Sequence, residues 1–170
     1  DAGCRYLQLD DTAWSDLFSE EGHNKLRAKG LDPAEELLVM QRMINETIAN
    51  KPEDLAVTMH ICRGNYKSNY FSSGGYDYAS EVIFGGLNVD GLFLEFDDER
   101  SGSFEPLKYV NRKDLKIVLG LLTSKNGELE DKEAIKARIA EAAKYVPLEQ
   151  LCLSPQCGVS STEEGKILTE

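Results

Sequence analysis

Apolar residues along this chain follow two alternating patterns: short continuous runs, and longer stretches in which they return every three or four positions. Five runs, at residues 5–9, 55–61, 91–96, 116–122 and 151–155, read as strands. Asp32-Pro33-Ala34-Glu35 is a helix start, with Asp as N-cap, Pro at the first helical position and Glu placed to close a capping box. Leu37, Met40, Ile44 and Ile48 follow as a core-facing stripe with Met43 beside it, and Lys51-Pro52 stops the helix. Tyr78, Val82 and Ile83 predict a helix closing at Gly85-Gly86. Asp131 caps another, with Ile135, Ile139 and Ala142 on one face and an end at Val146-Pro147. Asp10-Asp11-Thr12-Ala13-Trp14 follow the first strand, and a polar stretch then runs through Gly22, His23 and Lys25 to Gly30. Asp1-Ala2-Gly3-Cys4 reads as the end of one helix, and Ser161-Thr162-Glu163-Glu164 as the start of another.

Strand, loop and helix recur in that order, which implies a parallel sheet, either covered by helices on both faces or closed into a barrel. In both architectures functional groups gather at the carboxyl ends of the strands. Polar or reactive residues stand at or just after every predicted strand end: Asp10, His60 and Cys62, Glu95, Thr123, Cys157. The polar segments Arg63-Gly64-Asn65 and Ser72-Ser73-Gly74-Gly75 form a glycine-rich loop, read as lying on the substrate side.

Composition narrows the function classes. With 170 residues, 41% of them hydrophobic, the chain can build one ordinary core, and its net charge of −11 argues against nucleic acid or an anionic membrane as principal partner. No apolar run approaches the roughly 18 residues of a membrane span. Cys4, Cys62, Cys152 and Cys157 read as free or metal-bound thiols in a reducing, cytoplasmic setting, because a core of this size needs no disulfide staples. The glycosylation sequon Asn45-Glu46-Thr47 falls inside a helical pattern and is discounted.

His60 and Cys62, two apart in a strand, project to the same side. If neighbouring strand ends converge, His60, Cys62, Glu95 and Cys157 bring one nitrogen, two sulfurs and one carboxylate oxygen together, a set suited to tetrahedral zinc. Other roles exist for each: Glu95 pairing with Arg100, Cys157 as a small buried residue. Ligands dispersed over three strand ends favour a catalytic metal. Two thiolates and a carboxylate make zinc a poor activator of water but a good holder of a substrate thiolate. Asp10 could take the ammonium group of an amino-acid substrate, or cap a helix.

Tyr6-Leu7-Gln8-Leu9-Asp10, His60-Ile61-Cys62, Phe93-Leu94-Glu95 and Ser154-Pro155-Gln156-Cys157-Gly158, in that order, resemble the C-terminal catalytic barrel of cobalamin-independent methionine synthase, in particular its short single-barrel bacterial branch. The resemblance implies an α/β fold, a (β/α)8 TIM-type barrel of which residues 1–170 hold about five C-terminal βα units. The preceding strands are then expected upstream or from a second chain. It implies Zn2+ held by His60, Cys62, Glu95 and Cys157, with Asp10 on the homocysteine amino group. The implied reaction is methyl transfer from 5-methyltetrahydrofolate, polyglutamylated, to homocysteine; the thiolate attacks the N5 methyl group in line, and protonation of N5 improves the leaving group. Two positions depart from the family pattern. Thr123 stands where the family's Ile-His-Ser places a proton-relay His, and Asp10-Asp11-Thr12-Ala13 replaces Asp-Glu-Pro-Ala. Both departures touch the donor and the acid–base step rather than the metal. The alternatives are a related zinc-dependent thiol methyltransferase with another donor or acceptor, a non-catalytic zinc- or thiol-binding barrel, and a metal-free barrel decarboxylase.

Overall fold

The five apolar runs pair side by side in chain order, all parallel. The computed structural model describes residues 3–159, so the helix end expected at 1–4 and the helix start expected at 161–164 fall partly or wholly outside the described residues. The order along the chain is β1 (Tyr6–Asp11), α1 (Glu20–Ala28), α2 (Pro33–Ile48), β2 (Ala56–Ile61), α3 (Ser80–Gly86), β3 (Gly91–Glu95), β4 (Lys116–Leu122), α4 (Lys132–Ala142) and β5 (Leu151–Pro155). Sheet order equals chain order, with none of the reversal that defines a doubly wound sheet; each strand lies beside the next, as in a (β/α) barrel.

Side-chain alternation gives the sheet two different faces. Val57, Met59 and Ile61 of β2, Leu92 and Leu94 of β3, and Ile117, Leu119 and Leu121 of β4 are buried in one cluster with Leu37 and Ile48 of α2 and Ile83 and Phe84 of α3. The intervening positions, Gln8 and Asp10, Thr58 and His60, Phe93 and Glu95, Cys152 and Ser154, belong to the other face, the inner face of a barrel sector. Among the described residues β1 and β5 each pair with a single neighbour, and Tyr6, Leu7 and Leu153 on them are exposed.

The helices follow their local signals. Asp32 Oδ1 accepts from the backbone N–H groups of Ala34 (2.8 Å) and Glu35 (3.1 Å), with Pro33 in the first turn. Asp32→Ala is expected to lower stability by about 1 kcal/mol, the usual worth of such a cap, read as a lower urea midpoint at unchanged slope. Met40 and Ile44 pack against the core, while Met43 points to solvent. The Asn45 side chain donates to Gly86 O and accepts from Asn88 N, both at 2.8 Å, tying α2 to the turn before β3.

Three expectations are corrected. The polar stretch after β1 contains a 3-10 turn, Ala13–Leu17, that buries Trp14 and Leu17, and then α1, capped by Ser19. The helix begun at Asp131 ends at Ala142 rather than at Val146-Pro147, and Val146 is buried beyond it in a turn. Tyr78 precedes α3 in a separate 3-10 turn, Asp77–Ala79.

Candidate metal centre

His60 sits in β2 between Met59 and Ile61, both in the helix-facing core, so its ring is directed to the inner face; Cys62 follows one residue past the strand end. Glu95 is the last residue of β3 and fully buried. Cys157 comes from farther away, since β5 and β2 are separated by β3 and β4. Gly120 of β4 makes its approach possible: a Cβ there would stand 2.6 Å from Gln156 Cα, so only a glycine lets the chain after β5 lie down across β4. Gln156 is anchored in that crossing by its N–H to Leu122 O (2.8 Å) and by its side chain to Ser124 Oγ.

The structure brings together His60, Cys62, Glu95 and Cys157: one potential ligand atom from each lies within 4.8 Å of the others. The two sulfurs are 3.7 Å apart. Tetrahedral zinc with Zn–S bonds of about 2.3 Å places two sulfurs about 3.8 Å apart, so the pair already has that spacing. His60 Nε2 is buried without a hydrogen-bond partner among the described residues and stands 4.0 Å from Glu95 Oε1. An unmet buried nitrogen of this kind costs about 1–3 kcal/mol, a deficit that ligation removes.

The surrounding groups hold Glu95 firmly. Its Oε1 accepts from Arg63 N (2.8 Å), its Oε2 accepts from Arg100 Nη2 (3.0 Å), and its own N–H donates to Tyr76 Oη (3.0 Å). The pairing with Arg100 and the place in the cluster, weighed as alternatives from the sequence, therefore coexist on two different oxygens. Arg100 also pairs with Asp97 and Asp98 and lies under the ring of Tyr70. The fully buried Arg63 places its guanidinium 4.7 Å from the Phe18 ring and 4.6 Å from that of Tyr76.

The two sulfurs are within hydrogen-bonding reach of each other, and either can be the donor. The hydrogen bond with Cys62 and the neighbouring His60 hold the Cys157 thiol well below its ordinary range against the opposing effect of burial. The same contact with Cys157, together with burial, pushes the Cys62 thiol far above that range. Burial opposes the charged form of His60, but Cys157, with Asp10 and Glu95, outweighs burial and leaves its pKa raised. Burial raises that of Glu95, partly offset by the Arg63 N–H.

Asp10, level with His60 across the β1–β2 pair, lines an open hollow of about 300 Å3 together with Gln8, His60, Phe93, Ser154 and Cys157. Thr123 is elsewhere: its N–H donates to Glu130, its hydroxyl accepts from Lys125 N (3.1 Å), and it does not line that hollow. Lys125, in the segment that follows β4, carries no motif in the sequence. Its ammonium donates to Gly64 O (2.9 Å) and Asn65 Oδ1 (3.0 Å), and burial lowers its pKa.

Fold and site together define a sector of a (β/α)8-type barrel whose strand ends carry a His, two Cys and a Glu able to hold a metal ion. The chain belongs to the family described as cobalamin-independent synthase, catalytic domain, which it matches over residues 1–169. It is 61% identical over all 170 residues to each of two Bacillus subtilis proteins, the uncharacterized YxjH and YxjG, and spans 45% of their length. A Listeria monocytogenes structure provisionally assigned as a vitamin-B12-independent methionine synthase superposes with a TM-score of 0.75 at 55% identity, over 94% of this chain and 43% of that one. A Shewanella sp. W3-18-1 B12-independent methionine synthase, solved with selenomethionine, shares the fold: TM-score 0.62, 18% identity, 96% of this chain and 44% of that one. Among the described residues no helix is long and apolar enough to cross a membrane.

Proposed function

We propose that this chain carries the zinc-binding part of a thiol methyltransferase, with 5-methyltetrahydrofolate as donor and homocysteine as acceptor, forming methionine. The observation that carries the reading is the convergence of a ring nitrogen of His60, Cys62 Sγ, a carboxylate oxygen of Glu95 and Cys157 Sγ within 4.8 Å at three strand ends, beside an open hollow. Family membership supports it. Zinc held by these four residues would supply acidity to the acceptor sulfur, which then exists as a thiolate at neutral pH.

The protein's own groups do the rest. Glu95 is fully buried behind the cluster, while His60 and Cys157 line the open hollow that Asp10 also faces. The Asp10 carboxylate binds the substrate ammonium and points the side-chain sulfur toward the cysteine pair. Asp10→Asn is therefore expected to raise KM for homocysteine about 10-fold or more with metal content unchanged, as loss of a charge-assisted contact does. Steady-state kinetics with metal analysis on the same samples checks both halves.

A second reading keeps the thiol and changes the donor. Thr123 replaces the relay His of the resembled pattern, and its hydroxyl is engaged with Lys125 N. The full-length protein, zinc-loaded and supplied with homocysteine and methyltetrahydrofolate, produces methionine under the first reading. Zinc-loaded protein that makes none removes folate as the donor and leaves the thiol site standing.

A further inference from the structure

We propose that Asn65 and Lys125 form a brace that fixes the separation of Cys62 and Cys157, making both positioning residues for the cysteine pair. The two cysteines come from strands that are not neighbours; at about 4.8 Å per strand, β2 and β5 would stand some 14 Å apart in a flat sheet. Gly120 lets the chain after β5 cross β4, but it does not hold that chain against the loop after β2.

Asn65 supplies the hold. Its Nδ2 donates to Gly158 O at 2.6 Å, joining the residue next to Cys157 to the loop that follows Cys62. Its Oδ1 accepts from Lys125 Nζ at 3.0 Å. An ammonium can only donate and a carbonyl oxygen can only accept, so these two partners fix the orientation of the amide. Lys125 makes a second bond, to Gly64 O at 2.9 Å, and Gly64 N donates to Cys62 Sγ at 3.4 Å. Gly64 has φ of +96°, and a Cβ there would stand 2.9 Å from Phe71, so the loop takes this path only with glycine at that position. Loops from the ends of β2, β4 and β5 thus meet at one amide and one ammonium, a few bonds from both sulfurs.

The metal part of the test rests on the zinc reading above; the thiol part does not. In full-length protein, Asn65→Ala and Lys125→Met are each expected to weaken zinc about 10-fold in competition with a chromophoric chelator, within the range for groups that orient ligands. Because the two act as one unit, the double variant is expected to lose no more than either single one. In metal-free protein, diamide closes a Cys62–Cys157 disulfide: the thiols give up two hydrogens, a sulfur–sulfur bond forms, and the diazene is reduced to a hydrazine. That closure is expected to slow about 10-fold in both variants, as an oriented pair loses effective concentration. Asn65→Asp, which keeps the acceptor for Lys125 but loses the donor to Gly158, serves should Asn65→Ala not fold, and Lys125→Arg is expected to recover part of the loss. Wild-type closure rates and zinc affinities in the single variants overturn the brace. So do fully additive losses, or a loss confined to Lys125→Met, which would mark a charge effect alone. A wild-type protein that binds no zinc but shows brace-dependent closure overturns the zinc reading and keeps the brace.

Discussion

Cys62→Ala is expected to take bound zinc from about one ion per chain to below about 0.1, and to abolish methyl transfer with it, because the remaining His, Cys and Glu lose the thiolate that closes the site. The fold should survive. Cys62 lies beyond the end of β2 outside the main apolar cluster, and removing one sulfur there is expected to change stability by only about 1 kcal/mol. Metal analysis after gel filtration, alongside circular dichroism, separates the two effects. An unfolded variant would assign Cys62 a structural role; a folded variant that still holds one zinc would remove it from the ligand set. Cys157→Ala should behave in the same way, since its sulfur stands 3.7 Å from that of Cys62. Cys4 and Cys152, both exposed and outside the cluster, should tolerate alanine with zinc content intact.

Arg100→Met carries the second large effect, and it falls on stability. Glu95 is fully buried, and the Arg100 side chain, only 6% exposed, gives it a guanidinium at 3.0 Å. Removing one partner of a buried pair leaves an uncompensated charge, which costs about 3–5 kcal/mol. Asp97, equally buried, loses the same cation at 2.9 Å. Urea unfolding of the metal-free protein measures the loss without interference from zinc binding. Arg100→Lys keeps the charge but not the planar fork that reaches Glu95 and Asp97 together, so an intermediate loss is expected. A change of less than about 1 kcal/mol in Arg100→Met would mean that the Arg63 N–H suffices for Glu95.

The sheet could be read from the chain because buried parallel strands are continuous apolar runs. Residues 116–122 and 151–155 match β4 and β5 at both ends, and the other three strands differ by a residue or two. α1 was hidden because what it buries is Gly22, His23 and Leu26, of which only Leu26 reads as apolar. Trp14 and Leu17 are core residues held on a 3-10 turn, whose spacing matches neither period sought.

The four cluster residues were legible because a parallel sheet gathers strand ends, and because the spacing of His60 and Cys62 puts both at the end of β2. Their supports were not. Arg63, beside a glycine in a polar loop, looks like a solvated cation, yet the fold buries it between Phe18 and Tyr76, residues 45 and 13 positions away. Gly120 inside an apolar strand gives no local sign that Gln156 will cross it. Such contacts arise from packing between distant segments, where local pattern carries no information. Asp10 was legible as a strand-end carboxylate and lines the hollow; Thr123, legible by the same rule, does not.

X-ray absorption at the zinc edge of the full-length protein tests the metal centre most directly. One zinc is expected, with two sulfur neighbours at about 2.3 Å and two nitrogen or oxygen neighbours at about 2.0–2.2 Å. The shell should drop to one sulfur or vanish in Cys157→Ala. A shell of nitrogen and oxygen alone, a four-sulfur shell, or no zinc at all in the wild-type protein would contradict it.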